Sequence, residues 1–264
     1  MSTAVNEDAA PAASRAVRLL VAYHGAAYHG WQAQASGIPT VQGVLRDALR
    51  EVTGRDHPLP GASRTDAGVH AWGQVVSLVD DATLPLKAYV RGVNRYLPED
   101  VRVRDAEEVA PDFHPRHASV GKRYRYRWQV GVGAWPLERD RAWHVTWRLD
   151  VAAMAAAAQL LVGTHDFSAF RGSGCDAASP VKSLWSLGFA EGDRGRIELE
   201  IQGSAFLKYM VRNIAGALVE VGRGKRDLAW LAAVLESRDR RHAGMCAPPQ
   251  GLELVEVLYG EGGR

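Results

Sequence analysis

Near its middle the chain reads Lys122-Arg123-Tyr124-Arg125-Tyr126-Arg127-Trp128, and this run indicates how the rest of the sequence folds. Aromatic side chains and arginines alternate with a period of two, which is typical of a β-strand with two different faces. The simplest interpretation places the rings in a core and the arginines in water. If Tyr124 lies near a cleft, its ring can instead stack on an unpaired base, and the neighbouring arginines can contact phosphates.

The segments on either side of this run repeat one order, judged from hydrophobic periodicity and from the residues that end each segment. Before the run, the sequence predicts elements in the order βαββαβ at residues 17–23, 41–52, 57–60, 74–79, 86–93 and 101–103. From the run onward the same order recurs at residues 122–130, 151–162, 184–190, 197–202, 206–221 and 252–259, with an added helix at 227–235.

This repetition predicts an α+β protein with two ferredoxin-like (βαββαβ) subdomains, residues 16–118 and 119–264, whose helices pack on antiparallel sheets. We expect a cleft between the subdomains, because domain interfaces commonly hold binding sites. Residues 163–183 are rich in Gly and Ser and are predicted to form a long loop. Residues 1–15 are rich in Ala, Ser and Pro and are predicted to be a disordered tail.

The composition excludes several classes of protein. The 264 residues are 47% hydrophobic and 23% charged, as in soluble globular proteins, and no run approaches the roughly 20 apolar residues that span a membrane. The N-terminus lacks the pattern of a signal peptide. Cys175 and Cys246 have neither zinc-site nor disulfide-scaffold spacing, which favours a cytoplasmic protein without a metal. No phosphate-binding loop of the nucleotide-binding type is present, and we expect no cofactor.

Charge is unevenly distributed along the chain, although the net charge is only +2. Residues 116–148 contain eight Lys or Arg and two Asp or Glu, and residues 205–226 contain five and one. A locally basic surface favours a polyanionic partner such as RNA. A scattered, solvated set of charges would look similar in the sequence.

A second stretch, Arg64-Thr65-Asp66-Ala67-Gly68-Val69-His70, contains the most distinctive candidate for chemistry. Asp66 has a short side chain, and the small residues after it leave room for a bulky group to approach. One interpretation is a polar turn in which Asp66 caps the following segment. The other is a reacting carboxylate.

Arg212 lies within the apolar segment 206–216, where an arginine either extends to water or pairs with a buried acid. If it meets Asp66 across the cleft, we expect the Asp66 pKa to fall by about 1–3 units. The carboxylate would then stay charged and act as a nucleophile or electrostatic stabiliser rather than as a general acid.

The stretch around Asp66, with Gln74-Val75-Val76 after it, resembles the signature of the tRNA pseudouridine synthase A family. The resemblance extends along the chain beyond the tail. Further segments that resemble the family in order and spacing are residues 23–25, 30–32, 94–98, 113–116, 122–126, 165–170 and 210–214. The sequence departs from the family pattern at Ser63, where Gly is usual, at His24, where Asp is common, and at Glu253, where an aromatic residue is frequent.

The resemblance implies a homodimeric enzyme without metal or cofactor that converts uridines 38, 39 and 40 in the anticodon stem-loop of tRNA to pseudouridine. By position, Asp66 would be the catalytic aspartate and Tyr124 would pack on the target uracil. Arg212 would pair with Asp66, and Arg64 would help to hold the target nucleotide out of its stack. Two alternatives stay open: a non-catalytic RNA-binding or RNA-chaperone protein, and an enzyme that acts on uridine in another RNA.

Overall fold

The computed structural model describes residues 15–34, 37–80 and 84–260, so the predicted tail lies outside the described residues except for Arg15, which begins the first strand. The strands are β1 (Arg15–Tyr23), β2 (His70–Asp80), β3 (Val101–Val109), β4 (Ser119–Val130), β5 (Trp143–Val145), β6 (Gly163–Asp166), β7 (Val181–Gly192), β8 (Arg196–Gly203) and β9 (Leu252–Tyr259). The α-helices are α1 (Val41–Thr53), α2 (Val151–Gln159), α3 (Met210–Gly222) and α4 (Leu228–Ser237).

The described strands form one mixed sheet in the order β3-β1-β2-β9-β4-β8-β7-β6, with β5 paired to the end of β4. The chain is therefore an α+β protein, but its sheet is continuous rather than divided in two. The halves meet where β2 and β9 run parallel, a contact of only two residue pairs, His70 with Glu253 and Ala71 with Leu254. The other long ladders are antiparallel, and β4 lies between β9 and β8.

The predicted strand at residues 57–60 is wrong. Its Pro60 carbonyl accepts a hydrogen bond from Ser77 N–H of β2, and the only bridge nearby in the described residues is an isolated one between Gly61 and Val76. Pro58 and Pro60 have no N–H group, so the segment cannot donate the bonds that a full ladder requires. The loop predicted at 163–183 also differs, because its ends belong to strands β6 and β7, which pair from Gly163 with Leu184 onward.

Two predicted helices differ from the structure at their ends or in their type. Residues 86–93 form no α-helix; a π-helical segment, Ala88–Gly92, continues into the 3-10 turn Val93–Arg95. Helix α3 begins at Met210 rather than at residue 206, because Tyr209 has a positive φ of 63°, which a right-handed helix excludes. The other helices lie close to their predicted positions, and Thr40, Asp150 and Asp227 accept hydrogen bonds at their N-termini.

The arginines of β4 lie on one face of the sheet and are paired with glutamates from the neighbouring strands. Their partners are Glu256 for Arg123, Glu200 and Glu253 for Arg125, and Glu198 and Glu253 for Arg127. Glu253 is only 3% exposed and also accepts a hydrogen bond from the Trp72 indole at 2.9 Å. Arg123 and Arg125 thus have glutamate partners on the face away from Tyr124, and whether they also contact phosphates stays a prediction.

The opposite face of β4 contributes Tyr124 and Tyr126 to a hydrophobic core that runs through both halves. Leu45 and Leu49 of α1 and Ile214 and Leu218 of α3 are fully buried in that core. Tyr126 donates a hydrogen bond to the Pro248 carbonyl at 2.8 Å, which ties β4 to the segment before β9. No described helix has the length and apolar composition needed to cross a membrane.

Candidate active site

Asp66 lies in the loop that leads into β2, and its neighbours fix that loop from several sides. The Thr65 hydroxyl lies 2.7 Å from the Tyr23 hydroxyl at the end of β1, and the Thr65 carbonyl accepts a bond from Trp31 N–H. The Asp66 carbonyl accepts from Val69 N–H, which closes a turn, and Gly68 has a φ of +78°. Only the backbone of Asp66 serves the turn, so its carboxylate is available for another contact.

The Asp66 carboxylate meets Arg212 of α3, 146 residues further along the chain. Arg212 Nη1 lies 3.2 Å from Asp66 Oδ2, and the two side chains are 14% and 18% exposed. Arg212 is itself fixed, because its Nε donates to the Ala247 carbonyl at 2.8 Å and its guanidinium lies 4.8 Å from the Tyr209 ring centre. A bond to one carboxylate oxygen orients Asp66 and leaves its other oxygen free of this contact.

Burial raises the pKa of Asp66 above its ordinary value, and the positive charges of Arg212 and Lys208 oppose that rise without cancelling it. The sequence predicted a lowered pKa, which is wrong in direction because it counted the ion pair and not the removal of the carboxylate from water. The site therefore holds a partly dry carboxylate against a fixed cation.

Tyr124 lines the same cavity from β4. Its hydroxyl lies 2.6 Å from Ser63 Oγ, and its ring meets the edge of Phe206 at a centroid distance of 5.0 Å. Burial raises the pKa of Tyr124 to about 12, despite its hydrogen bond with Ser63, so the phenol is protonated at neutral pH. A neutral phenol can donate or relay a proton, and its ring presents an apolar surface to the cavity.

Arg64 lies on the exposed side of the site. Its Nη1 contacts Asp176 Oδ2 at 2.7 Å, and both side chains are more than half exposed. Asp176 belongs to the segment between β6 and β7, so this ion pair bridges the two halves at the mouth of the cavity. Because both groups are solvated, the pair is weak and can open.

The cavity has a volume of about 710 Å³ and receives side chains from both halves of the chain. Those that bear on its chemistry are Ser63, Asp66, Lys122, Tyr124, Phe206 and Lys208. Among the described residues, no group of three or more His, Cys, Asp or Glu side chains is placed to hold a metal ion. The cavity instead combines the buried carboxylate of Asp66, an aromatic surface and several cations, a set suited to a nucleotide.

Sequence reasoning missed three contributors to this site. Ser63 was recognised only as a departure from a family pattern, yet its hydroxyl contacts Tyr124. Lys122 was recognised only as part of a strand, although its two-residue spacing from Tyr124 places both on one face. Tyr209 carried no signal, because its positive φ and its contact with Arg212 depend on tertiary structure.

Comparisons with known proteins identify the family of this chain. A model described as tRNA pseudouridine synthase matches residues 19–117 and 157–260, most of the chain. The chain belongs to the tRNA pseudouridine synthase family. A protein named tRNA pseudouridine synthase A from Myxococcus xanthus is 50% identical over 93% of this chain and 92% of its own length. One of the same name from Syntrophotalea carbinolica is 46% identical over 92% of this chain and 96% of its own length.

As a tRNA pseudouridine synthase, the chain is an isomerase that acts on uridine in tRNA. Two solved structures resemble it weakly. A chain from a Cbf5-Nop10-Gar1 complex matches at a TM-score of 0.35 and 10% identity, and the present chain spans 45% of it. A chain from an archaeal Nop10-Cbf5 complex gives the same TM-score, with 58% of it spanned.

Proposed function

We propose that this isomerase converts uridines 38, 39 and 40 in the anticodon stem-loop of tRNA to pseudouridine, with Asp66 as the catalytic residue. The observation that carries the proposal is the contact between Asp66 and Arg212, which fixes a carboxylate inside a cavity beside Tyr124. The three uridine positions come from the resemblance to the tRNA pseudouridine synthase A family, whose name the two relatives carry.

The reaction breaks the bond between N1 of uracil and C1′ of ribose, turns the base, and joins C5 to C1′. C5 loses its hydrogen and N1 gains one, so the product is an isomer of the substrate. A carboxylate near C1′ can attack or stabilise the electron-poor sugar while the base is detached. A base in a stem must first leave its stack at a cost of a few kcal/mol, and an enclosed cavity keeps the detached uracil from escaping.

The remaining site residues take supporting roles in this proposal. The uracil packs on the buried ring of Tyr124, and the phenol of that residue handles a proton during the exchange of N1 for C5. Arg212 orients Asp66 and limits the rise of its pKa. Arg64 holds the extruded nucleotide at the cavity mouth, which requires its exposed bond to Asp176 to open when RNA arrives.

We also propose the organisation of the protein that the resemblance implies. Residues 16–118 and 119–264 are two ferredoxin-like units joined edge to edge, of which the first lacks the strand predicted at residues 57–60. The strand order β9-β4-β8-β7 in the second half supports this division, since its four strands connect as βαββαβ. The enzyme acts in the cytoplasm as a homodimer on a tRNA substrate.

The decisive experiment compares wild type with Asp66→Asn on anticodon-arm RNA that carries tritium at C5 of the target uridine. Formation of the new C–C bond releases that tritium to water. We expect Asp66→Asn to reduce the rate by at least about 10³-fold, since a reacting group is lost, while RNA affinity stays within a few-fold. Asp193→Asn, in the exposed turn between β7 and β8, is the matched control and should retain full activity.

Two outcomes would overturn the proposal in different ways. If Asp66→Asn releases tritium at a near wild-type rate, Asp66 is not the catalytic residue. If the wild type binds anticodon-arm RNA but releases no tritium from any of the three positions, the target is another uridine, or the chain acts only as a binding protein or RNA chaperone. Mapping pseudouridine in total tRNA with and without the gene separates these alternatives.

A further inference from the structure

One side of the cavity contains cations that the chemistry at Asp66 does not use. Lys122 and Arg116 line this side together with His114 and His117, whose rings lie 4.3 Å apart. Lys122 is only 8% exposed, while Arg116 lies at the solvent edge. Within the described ranges, the single hydrogen bond of Lys122 Nζ is a long one, 3.4 Å, to Ser119 Oγ.

The other basic side chains of β4 are compensated, and Lys122 is not. Arg123, Arg125 and Arg127 each pair with at least one glutamate on the opposite face of the strand. In residues 15–34, 37–80 and 84–260, no carboxylate lies within 4 Å of Lys122 or Arg116. Burial and the neighbouring charge of Arg116 lower the pKa of Lys122 to about 8, which shows that nothing nearby compensates its charge.

The register of β4 relates this cation to the site of reaction. Lys122 and Tyr124 are two residues apart and share one face, about 7 Å from each other along the strand. A nucleotide whose base packs on Tyr124 therefore extends its sugar and phosphate along the same wall. A buried lysine beside an arginine, both facing a cavity without a counter-ion, is an arrangement that an anion would stabilise.

We propose that Lys122 and Arg116 form a subsite for a phosphodiester group that directly flanks the target uridine. The subsite rests on the proposed function, because it places the RNA strand relative to the uracil on Tyr124. Lys122 provides the buried charge, and Arg116 provides the solvent-facing half of the contact. The bound phosphate compensates two charges that repel each other in the free enzyme, so the subsite favours RNA that already has its target nucleotide in the cavity.

The experiment removes charge from each side of the contact. Anticodon-arm RNAs carry one uncharged methylphosphonate, either at the linkage 5′ of the target uridine, at the linkage 3′ of it, or at a remote linkage in the stem. Each RNA is tested for tritium release with wild type, Lys122→Met and Lys122→Arg. Lys225→Met, an exposed lysine after α3 that does not line the cavity, is the matched control.

We expect one flanking methylphosphonate to reduce wild-type kcat/KM about 10-fold or more, and the remote one to have little effect. On the unmodified RNA, kcat/KM of Lys122→Met should fall by a similar factor. The flanking methylphosphonate that impairs the wild type should lower kcat/KM of Lys122→Met by less than about 2-fold more. Lys122→Arg should retain most of the activity, and Lys225→Met should respond to the modified RNAs as the wild type does. Competition by millimolar inorganic phosphate should be weak, because the subsite recognises a phosphodiester held in place by the base.

Two results would overturn the subsite. The first is a wild type that tolerates methylphosphonates at both flanking linkages, a measurement that depends on no variant folding correctly. The second concerns kcat/KM of Lys122→Met on the modified RNAs. If the loss from the substitution and the loss from the methylphosphonate multiply in full at both flanking linkages, lysine and phosphate act independently. In either case wild-type tritium release from unmodified RNA would still support the proposed function, so the two proposals fail separately.

Discussion

At the scale of single residues, two opposing effects act on the pKa of Asp66. Burial disfavours the carboxylate, while Arg212 and Lys208 favour it, and burial is the larger effect. A desolvated carboxylate is more reactive than a solvated one because water no longer shields it. Arg212 therefore holds Asp66 in position and favours its ionised form.

Arg212→Gln tests this balance. Loss of the guanidinium removes the largest influence that lowers the Asp66 pKa, so the pKa should rise further. Because the proposed mechanism needs ionised Asp66, the acid limb of the kcat/KM profile should move to higher pH, and the rate at neutral pH should fall about 10²-fold or more. Tritium release measured from pH 4 to 9 gives the profile. An acid limb at the wild-type pH would show that Arg212 does not act through Asp66.

Ser63 offers a second test, because its backbone is held independently of its side chain. Gln74 accepts from Ser63 N–H and donates to the Ser63 carbonyl, so Ser63→Ala should leave the loop in place. The variant deprives the Tyr124 hydroxyl of its partner at 2.6 Å, an unsatisfied buried group that costs about 1–3 kcal/mol. We expect kcat to fall about 10-fold with KM nearly unchanged.

The double variant Ser63→Ala, Tyr124→Phe separates a role through Tyr124 from a general effect on the loop. If Ser63 acts through the phenol, adding Ser63→Ala to Tyr124→Phe should change kcat by less than about 2-fold. If the kcat losses of Ser63→Ala and Tyr124→Phe instead multiply in the double variant, Ser63 does not act through the phenol.

Sequence reasoning named Asp66, Tyr124 and Arg212 because their residue types are unusual in their local context: a lone carboxylate, a ring on an arginine-rich strand and an arginine in an apolar segment. It could not give the direction of the Asp66 pKa, because burial is a property of the folded chain. Nor could it pair Ser63 with Tyr124, since the two are 61 residues apart and the contact depends on how the loop meets β4.

At the scale of elements, β4 separates two kinds of charge on its two faces. One face carries arginines neutralised by glutamates, and the other carries Lys122 and Tyr124 toward the cavity. The period-two pattern of the run predicted the two faces correctly. It could not predict the glutamates, because Glu198 and Glu253 belong to different strands that only the folded sheet brings beside β4.

The paired face should contribute to stability rather than to RNA binding. Arg127→Met leaves the buried Glu253 with one cation fewer, and we expect the free energy of unfolding to fall by roughly 2–3 kcal/mol. Arg123→Met, on the more exposed end of the same face, should cost less than about 1 kcal/mol. Urea titration measures both values. The salt dependence of RNA binding should keep its wild-type slope in both variants, and a reduced slope would show that these arginines reach phosphates.

Two boundaries show why local pattern fails where tertiary structure decides. The sequence predicts a strand at residues 57–60, but two prolines prevent a full ladder, and the isolated bridge to β2 lies at the next residue, Gly61. Residues 206–209 continue the apolar pattern of α3, yet Tyr209 takes a left-handed conformation that places its ring against Gly172 and Arg212. The positive φ of Tyr209, beside Arg212, is backbone strain that the surrounding contacts maintain.

At the scale of the whole molecule, the two halves share a sheet through a narrow contact, and His70 lies at that contact. His70 Nδ1 accepts from Gly25 N–H at 3.0 Å, and its Nε2 lies 3.1 Å from the Gln250 carbonyl. One ring thus links a loop of the first half to the segment before β9. The cavity lies between the same halves, so its geometry depends on this contact.

His70 should make the protein sensitive to mild acid. Burial, helped by the neighbouring His24, lowers the pKa of His70 to about 4, and the ring that accepts from Gly25 must be neutral. The unfolded chain binds a proton near pH 6.5, so stability should fall as pH drops from 6.5 toward 4, by up to about 3 kcal/mol.

His70→Gln should be less stable at pH 7, because Gly25 loses its acceptor, yet its stability should change less over that range. Urea titrations at several pH values measure both slopes, with the exposed His29→Gln as a control that keeps the wild-type slope. If the free energy of unfolding depends on pH with the same slope in wild type and His70→Gln, a group other than His70 causes the acid sensitivity.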